Sequence, residues 1–391
     1  MSKRLVLLAV AALGFLIPSR AFAYSWMIRH AYSQCSNCHA DPAGGGLLNS
    51  YGRAQGEILM RMRYSSPPLR EPGPLAEPLF GLLSLPDSLL IGGDVRYAHV
   101  RVMPSGGSAQ SRFILMQADA LGQFSLGSLR VNGSLGYVSE GANGAAITRG
   151  TSMSSKLVSR SHWLGIDLGA HNEWLLRAGR IAIPYGLRSI EHTLFVRTHT
   201  GTDTNASQTY GVHVDYHHNR FRAAAMLIAG NLSVAPDHFR SRGYAGFAEY
   251  ALDSTAAVGV SSKVTWSKLD LATLTPAFRH AHGAFARYSP VRQAVISGEW
   301  AFLFTSQPTP GQNHSGQAGV LTVDIEPIQG LHLGPTGEFG IREFGGPKSY
   351  GYWLSAWWFF APHADLRLDF VDQSLGSIRV TSAVAQVHGY L

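Results

Sequence analysis

From Leu89 to its C-terminus the chain is written in short runs of period two, and this pattern limits the fold more than any other feature. In SLRVNGSLGYVSE, Leu129, Val131, Leu135 and Tyr137 share one parity, and Arg130, Asn132 and Ser134 the other. Val258, Val260, Val264 and Trp266 likewise oppose Gly259, Ser261, Lys263 and Thr265. Ala294, Ile296, Trp300, Phe302 and Phe304 stand against Ser297 and Glu299; Ala364, Leu366, Leu368 and Phe370 stand against Asp365, Arg367 and Asp369. Side chains alternate across a strand, so each run predicts a strand with one apolar and one polar face. No run beyond the N-terminus approaches the ~18 consecutive apolar residues of a membrane-crossing helix.

A soluble β-sandwich alternates in the same way, and composition separates the two. Charged residues make up only 15% of the chain, against about 25% in soluble domains, whose surfaces need them. There are 43 Gly, 18 Phe, 15 Tyr and 8 Trp, including the run YWLSAWWFF at 352–360. A sheet with one face in lipid has no need of surface charge, and aromatic girdles belong to it. The fold class expected is therefore all-β: a transmembrane antiparallel outer-membrane β-barrel with a small N-terminal c-type haem-binding plug segment. With roughly 18–20 residues per strand and its connection, residues 89–391 make about 16 strands. The chain ends in Tyr390 and Leu391 rather than the terminal Phe common in such barrels.

The first residues, MSKRLVLLAVAALGFLIPSRAFA, carry Lys3 and Arg4, an apolar run from Leu5 to Ile17, and Ala21-Phe22-Ala23. This is the layout of a secretory signal peptide over 1–23, and its apolar run is shorter than the roughly 20 residues a spanning helix needs. Three parts follow: a cysteine-bearing segment (24–63), a proline-rich linker (64–88) whose prolines fix φ and remove donors, and the barrel (89–391). The net charge of +7 is spread along an exported chain. That argues against a nucleic-acid partner and for a mildly cationic lumen or loop surface.

Both cysteines lie in QCSNCHAD (34–41), where Cys35, Cys38 and His39 form C-x-x-C-H, the c-type haem attachment spacing. Two thiols so spaced form thioethers to one haem, and the adjacent imidazole ligates its iron. A zinc site would need two further ligands, a redox dithiol expects a βαβ setting, and a Cys35–Cys38 disulfide closes too short a loop to stabilise much. Candidates for the second axial ligand are Met60, Met62 and His30, with Met27 as a further methionine. A segment of about 40 residues is near the lower limit for folding alone, so it is expected to lean on the barrel as a plug.

Signal peptide, one CxxCH, the stretch Leu47-Leu48-x-x-Tyr51-Gly52-Arg53 and a barrel, in that order, resemble the fused monohaem cytochrome–porin family of bacterial outer membranes. RAGRIAIPYGLR (177–188) also looks like the G-R/K-x-x-x-P-aromatic-G strand turn of porins. Gly44-Gly45-Gly46 and the proline-rich linker depart from that family's pattern. The resemblance implies an electron-transfer protein of the outer membrane with one covalent haem c, moving electrons between an extracellular donor or acceptor, Fe(II) among the donors, and a periplasmic carrier such as a soluble cytochrome. An Fe(II) oxidase activity is part of that implication. The alternative is a porin, a solute channel whose haem segment gates the pore or senses redox state.

His213, Asp215 and His217 share one strand face, a lumen metal site if they converge, otherwise simply a polar lumen face. His192, His199, His280 and His282 are read in the same way. Arg177 and Arg180 are expected to line the lumen, where arginines set anion preference.

Overall fold

A computed structural model of the protein describes residues 25–391 except 33, 43, 68, 70, 138–156, 192, 204–206, 271–272 and 308–312. The signal peptide expected over 1–23, and His192, lie outside the described residues. The alternating sequence forms β1 (Leu89–Pro104), β2 (Gln110–Leu126), β3 (Leu129–Tyr137), β4 (Leu157–Val158), β5 (His162–Leu168) and β6 (Trp174–Ile181). These are followed by β7 (Thr209–His218), β8 (Phe221–Gly230), β9 (Arg242–Ala251), β10 (Ala256–Ser267), β11 (Ala277–Val291) and β12 (Ala294–Ser306). The last five are β13 (His314–Ile328), β14 (Leu331–Ile341), β15 (Lys348–Ala361), β16 (Ala364–Leu375) and β17 (Ile378–Tyr390).

Neighbouring strands pair antiparallel, and β17 returns to β1 with Tyr390 opposite Asp94 and Val384 opposite Val100. Closure of β17 onto β1 removes the open sheet edges that a lipid environment does not tolerate. Because β4 and β5 both pair with β3, they are two pieces of one stave, and the wall is a closed 16-strand barrel.

The dyad sorts side chains as expected. Leu135, Val260, Phe302 and Phe370 are exposed on the outer face, while Glu299, Asp365 and Arg367 are buried inside. YWLSAWWFF, expected to serve the girdle, is divided by the same rule. Tyr352, Leu354 and Trp358 face out, and Trp353, Trp357 and Phe359 are buried inside. Bulky inward aromatics do not suit a water-filled lumen; here they have something to pack on.

Tight turns at 127–128, 219–220, 292–293, 329–330 and 362–363 lie at the end where β1 begins and β17 finishes. Longer connections, 182–208, 231–241 and 268–276 among them, lie at the other. In outer-membrane barrels the short turns face the periplasm.

Residues 25–63 enter the lumen from that short-turn end as a plug. The plug contains 3-10 turns at Ser25–His30 and Cys35–Asn37, then α1 (Ser50–Gln55), which runs on into a π turn at Gly56–Met60. Trp26, Met27, Ile28, Leu48 and Met60 pack with Trp357 and Phe359 of β15. The Met62 N–H donates to the Phe359 carbonyl at 2.8 Å, and the Gln329 amide donates to the Ile58 and Arg61 carbonyls at 2.9 and 3.1 Å. Arg29 is buried against Asp324 and Glu326. Tyr390 of β17 reaches the plug: it stacks on His388 with ring centres 5.1 Å apart, and its hydroxyl lies 4.0 Å from Met60 Sδ.

A second insertion comes from the opposite end. The connection 182–208, which begins with the porin-like stretch, folds into the lumen and carries α2 (Phe195–Thr200) against β12, β13 and β14. Tyr185 and Val196 are wholly buried there. Gly186 takes φ +60°, and a Cβ at that position would overlap the Glu299 carboxylate. Glu299 accepts from the Leu187 N–H at 2.9 Å and pairs with the buried Arg197, so the loop is held to β12.

Candidate cofactor site in the lumen

CSNCH lies inside the barrel wall. Cys35 opens a 3-10 turn, and the Cys38 and His39 N–H groups both return to the Cys35 carbonyl, at 3.2 and 3.0 Å. This coil places both thiols, buried and unbridged, one turn apart with the imidazole following. The stretch after the motif braces it. His39 bridges to Leu48, and the Ala40 N–H donates to the Leu47 carbonyl at 2.9 Å. Asn49 caps α1 by accepting from the Gly52 N–H at 2.8 Å, while its amide donates to the Asn37 carbonyl at 2.8 Å. Gly52 lies flush on Cys38, whose carbonyl a Cβ would strike. Arg53 is buried, donating to the Leu48 and Ala76 carbonyls. Leu47, Leu48, Asn49 and Gly52 therefore brace the segment that carries the two cysteines.

The barrel supplies charge around the motif. Asp41 accepts from Arg177 of β6 at 2.6 Å, and Arg177, wholly buried, also stands 3.1 Å from Asp215 of β7. Arg188 and Arg222 each direct a guanidinium nitrogen to Cys35 Sγ at 3.1 Å. Arg222 pairs in addition with Glu249, which Arg287 shares. Burial works to raise the Cys35 thiol, but Arg188 and Arg222 together outweigh it and hold the group below its ordinary range. Burial and the neighbouring Cys35 push Cys38 up. Burial also pushes His39 down to about 4, against the pull of Asp41, so the imidazole is neutral.

The candidate ligands separate. Met60 and Met27 sit in the same apolar cluster as Cys38; Met62 is only partly buried. His30 stands 3.9 Å from Glu326, and burial lowers it to about 4. His213, Asp215 and His217 share the inner face, but Asp215 is engaged by Arg177 and by His213 at 2.9 Å. Among the described residues no three His, Cys, Asp or Glu side chains converge as a metal site. His199 lies at the inward loop, beside Phe195; His280 and His282 neighbour each other on β11.

Arg180 pairs across the sheet with His162 and Tyr210, three residues from Arg177 and so of the other parity, yet its side chain is wholly buried, with the guanidinium 6.0 Å from the centre of the Tyr210 ring. Arg188, Arg222 and Glu249 were missed because alternation marks inward positions but does not show which inward groups meet.

A haem held by thioethers requires two thiols within reach of one ring and a neutral imidazole beside them. Both thiols are buried together, and the His39 imidazole lies against the backbone of Gly45 and Gly46. Beside Cys35 runs Gly44-Gly45-Gly46 with φ of +81°, +79° and +63°, where a Cβ on Gly44 would lie 3.1 Å from Cys35 Sγ. A neutral imidazole and a ribbon without side chains fit that group.

No protein-family model and no curated protein matches the chain. Solved structures do. OmpT of Vibrio cholerae superposes with a TM-score of 0.60 at 12% identity, covering 79% of this chain and 99% of that one. An anion-selective porin from Comamonas acidovorans gives 0.57 at 14%, covering 78% and 99%. The outer membrane channel DcaP of Acinetobacter baumannii gives 0.55 at 11%, covering 78% and 97%. These likenesses are of fold, and together with the closed, lipid-faced wall they make the chain a porin-like β-barrel of the bacterial outer membrane.

Proposed function

We propose that the barrel houses a covalently attached haem c and passes electrons across the outer membrane. Cys35 and Cys38 are its thioether anchors, His39 is the proximal ligand, and Met60 is favoured over Met62 and His30 on the far side. The observation that carries this reading is the position of CSNCH, seated in the lumen by a plug from the periplasmic end and met there by the loop 182–208. The bound group supplies a one-electron couple. Each extracellular Fe(II) oxidised to Fe(III) yields one electron, which leaves to a periplasmic carrier such as a soluble cytochrome. The chain's own residues bury the site, keep His39 neutral and hold the motif within the insulating wall.

The likeness to porins favours a second reading, a solute channel gated by the plug. Vesicles containing only this protein and an enclosed redox dye separate the two. External Fe(II) is expected to reduce the dye, and replacing His39, or Cys35 and Cys38 together, is expected to abolish that reduction. Unchanged reduction in those variants sinks the electron-transfer reading. Solute flux that persists in the variants supports the channel.

A further inference from the structure

Arg188 stands apart from the other cations around the motif. It belongs to the inward loop 182–208 and takes φ 54°, a left-handed conformation that a non-glycine residue keeps only where its surroundings hold it. Its guanidinium meets Cys35 Sγ at 3.1 Å and lies over the Phe247 ring, 5.1 Å from its centre. It forms no ion pair among the described residues. Arg222 reaches the same sulfur at 3.1 Å and the same ring at 5.0 Å. Two like charges converge on one sulfur, and only the fold keeps them there.

The local charge balance is positive by one: Arg188, Arg222, Arg287 and Arg177 face the three carboxylates of Glu249, Asp41 and Asp215, the last two of which act on Arg188 as well as Arg177. Arg177, Arg287 and Glu249 are buried, and charges so placed are weakly screened. Reduction adds one electron to a haem iron, so a fixed positive charge nearby favours the reduced form.

We infer that Arg188 and Arg222 form a cationic clamp on the first cysteine of CSNCH that raises the reduction potential of the haem held there. The inference rests on the haem reading above. It also joins the two lumen insertions: Arg188 arrives from the long-loop end and CSNCH from the short-turn end, so the potential reports whether loop 182–208 is seated.

The test is a spectroscopic redox titration of the full-length protein in nanodiscs, following the haem absorption against mediators. Arg188→Met is expected to lower the midpoint potential, and Arg188→Lys, which keeps the charge, to remain near wild type. Glu249→Gln removes the opposing carboxylate and is expected to shift the potential upward, which keeps the inference testable if Arg188→Met fails to fold. An unchanged midpoint in Arg188→Met with an intact c-type spectrum overturns the clamp. So does an equal fall in Arg188→Lys, which would mark a structural role. A wild-type protein without covalent haem, seen by mass and absorption before any titration, overturns the haem reading and the clamp together.

Discussion

Asp41, two residues past His39, is the hinge between motif and wall. It ties the plug to a guanidinium with no solvent exposure of its side chain, and Asp215 shares that charge. Asp41→Asn leaves Arg177 with one carboxylate instead of two, so the cost is smaller than for an orphaned charge, about 1–3 kcal/mol. The expected outcome is faster proteolysis of residues 25–63 in the folded barrel, at little change in barrel melting. Gly186 carries the loop in the same single-residue way. Gly186→Ala adds backbone strain of about 1–3 kcal/mol and drives a methyl into Glu299. It is expected to unseat the loop and raise single-channel conductance in planar bilayers; an unchanged conductance would show that the loop does not depend on this contact. Neither residue announces its role in the sequence, because the partners lie 136 and 112 positions away in the contacts Asp41–Arg177 and Leu187–Glu299.

At the scale of elements, strand parity was legible because a strand has only two faces. Once lipid takes one, every second residue is assigned. Leu321 lies midway along β13, exposed outward among its neighbours. Leu321→Arg places a charge near the membrane midplane, at a cost of about 2–4 kcal/mol. Urea titration of folding into lipid vesicles is expected to show that loss, while Leu321→Val shows far less. The same rule divides YWLSAWWFF, sending Trp353, Trp357 and Phe359 inward, but it gives way at the end of β6, where Arg180 and Ile181 are buried in succession. Loops lack such a rule, so the inward fold of 182–208 was visible only as a resemblance to the porin strand turn.

For the whole molecule, plug and loop enter from opposite ends and meet at Cys35. The lumen they occupy is lined by apolar as well as charged groups; Trp163, Leu175, Ile181 and Met226 form one such cluster. The intact protein is therefore expected to conduct ions poorly in planar bilayers, and removing residues 25–63 is expected to open it. Equal conductance with and without those residues would mean that the plug does not block the pore. The barrel, closed by its own hydrogen bonds, is expected to survive this deletion.

What the sequence determined by itself was whatever depends on local period or spacing: strands with a lipid face, their approximate number, and two thiols and an imidazole grouped within QCSNCHAD. These are short-range properties, since alternation and a five-residue motif need no knowledge of distant residues. Only the tertiary structure decided that Arg188, Arg222 and Arg177 surround that motif, that Met60 joins Cys38 in one cluster, and that Tyr390 reaches the plug. Ring closure brings β6, β8 and β17 to one lumen, and the side chains that meet there are chosen by shape and charge across the barrel rather than by distance along the chain.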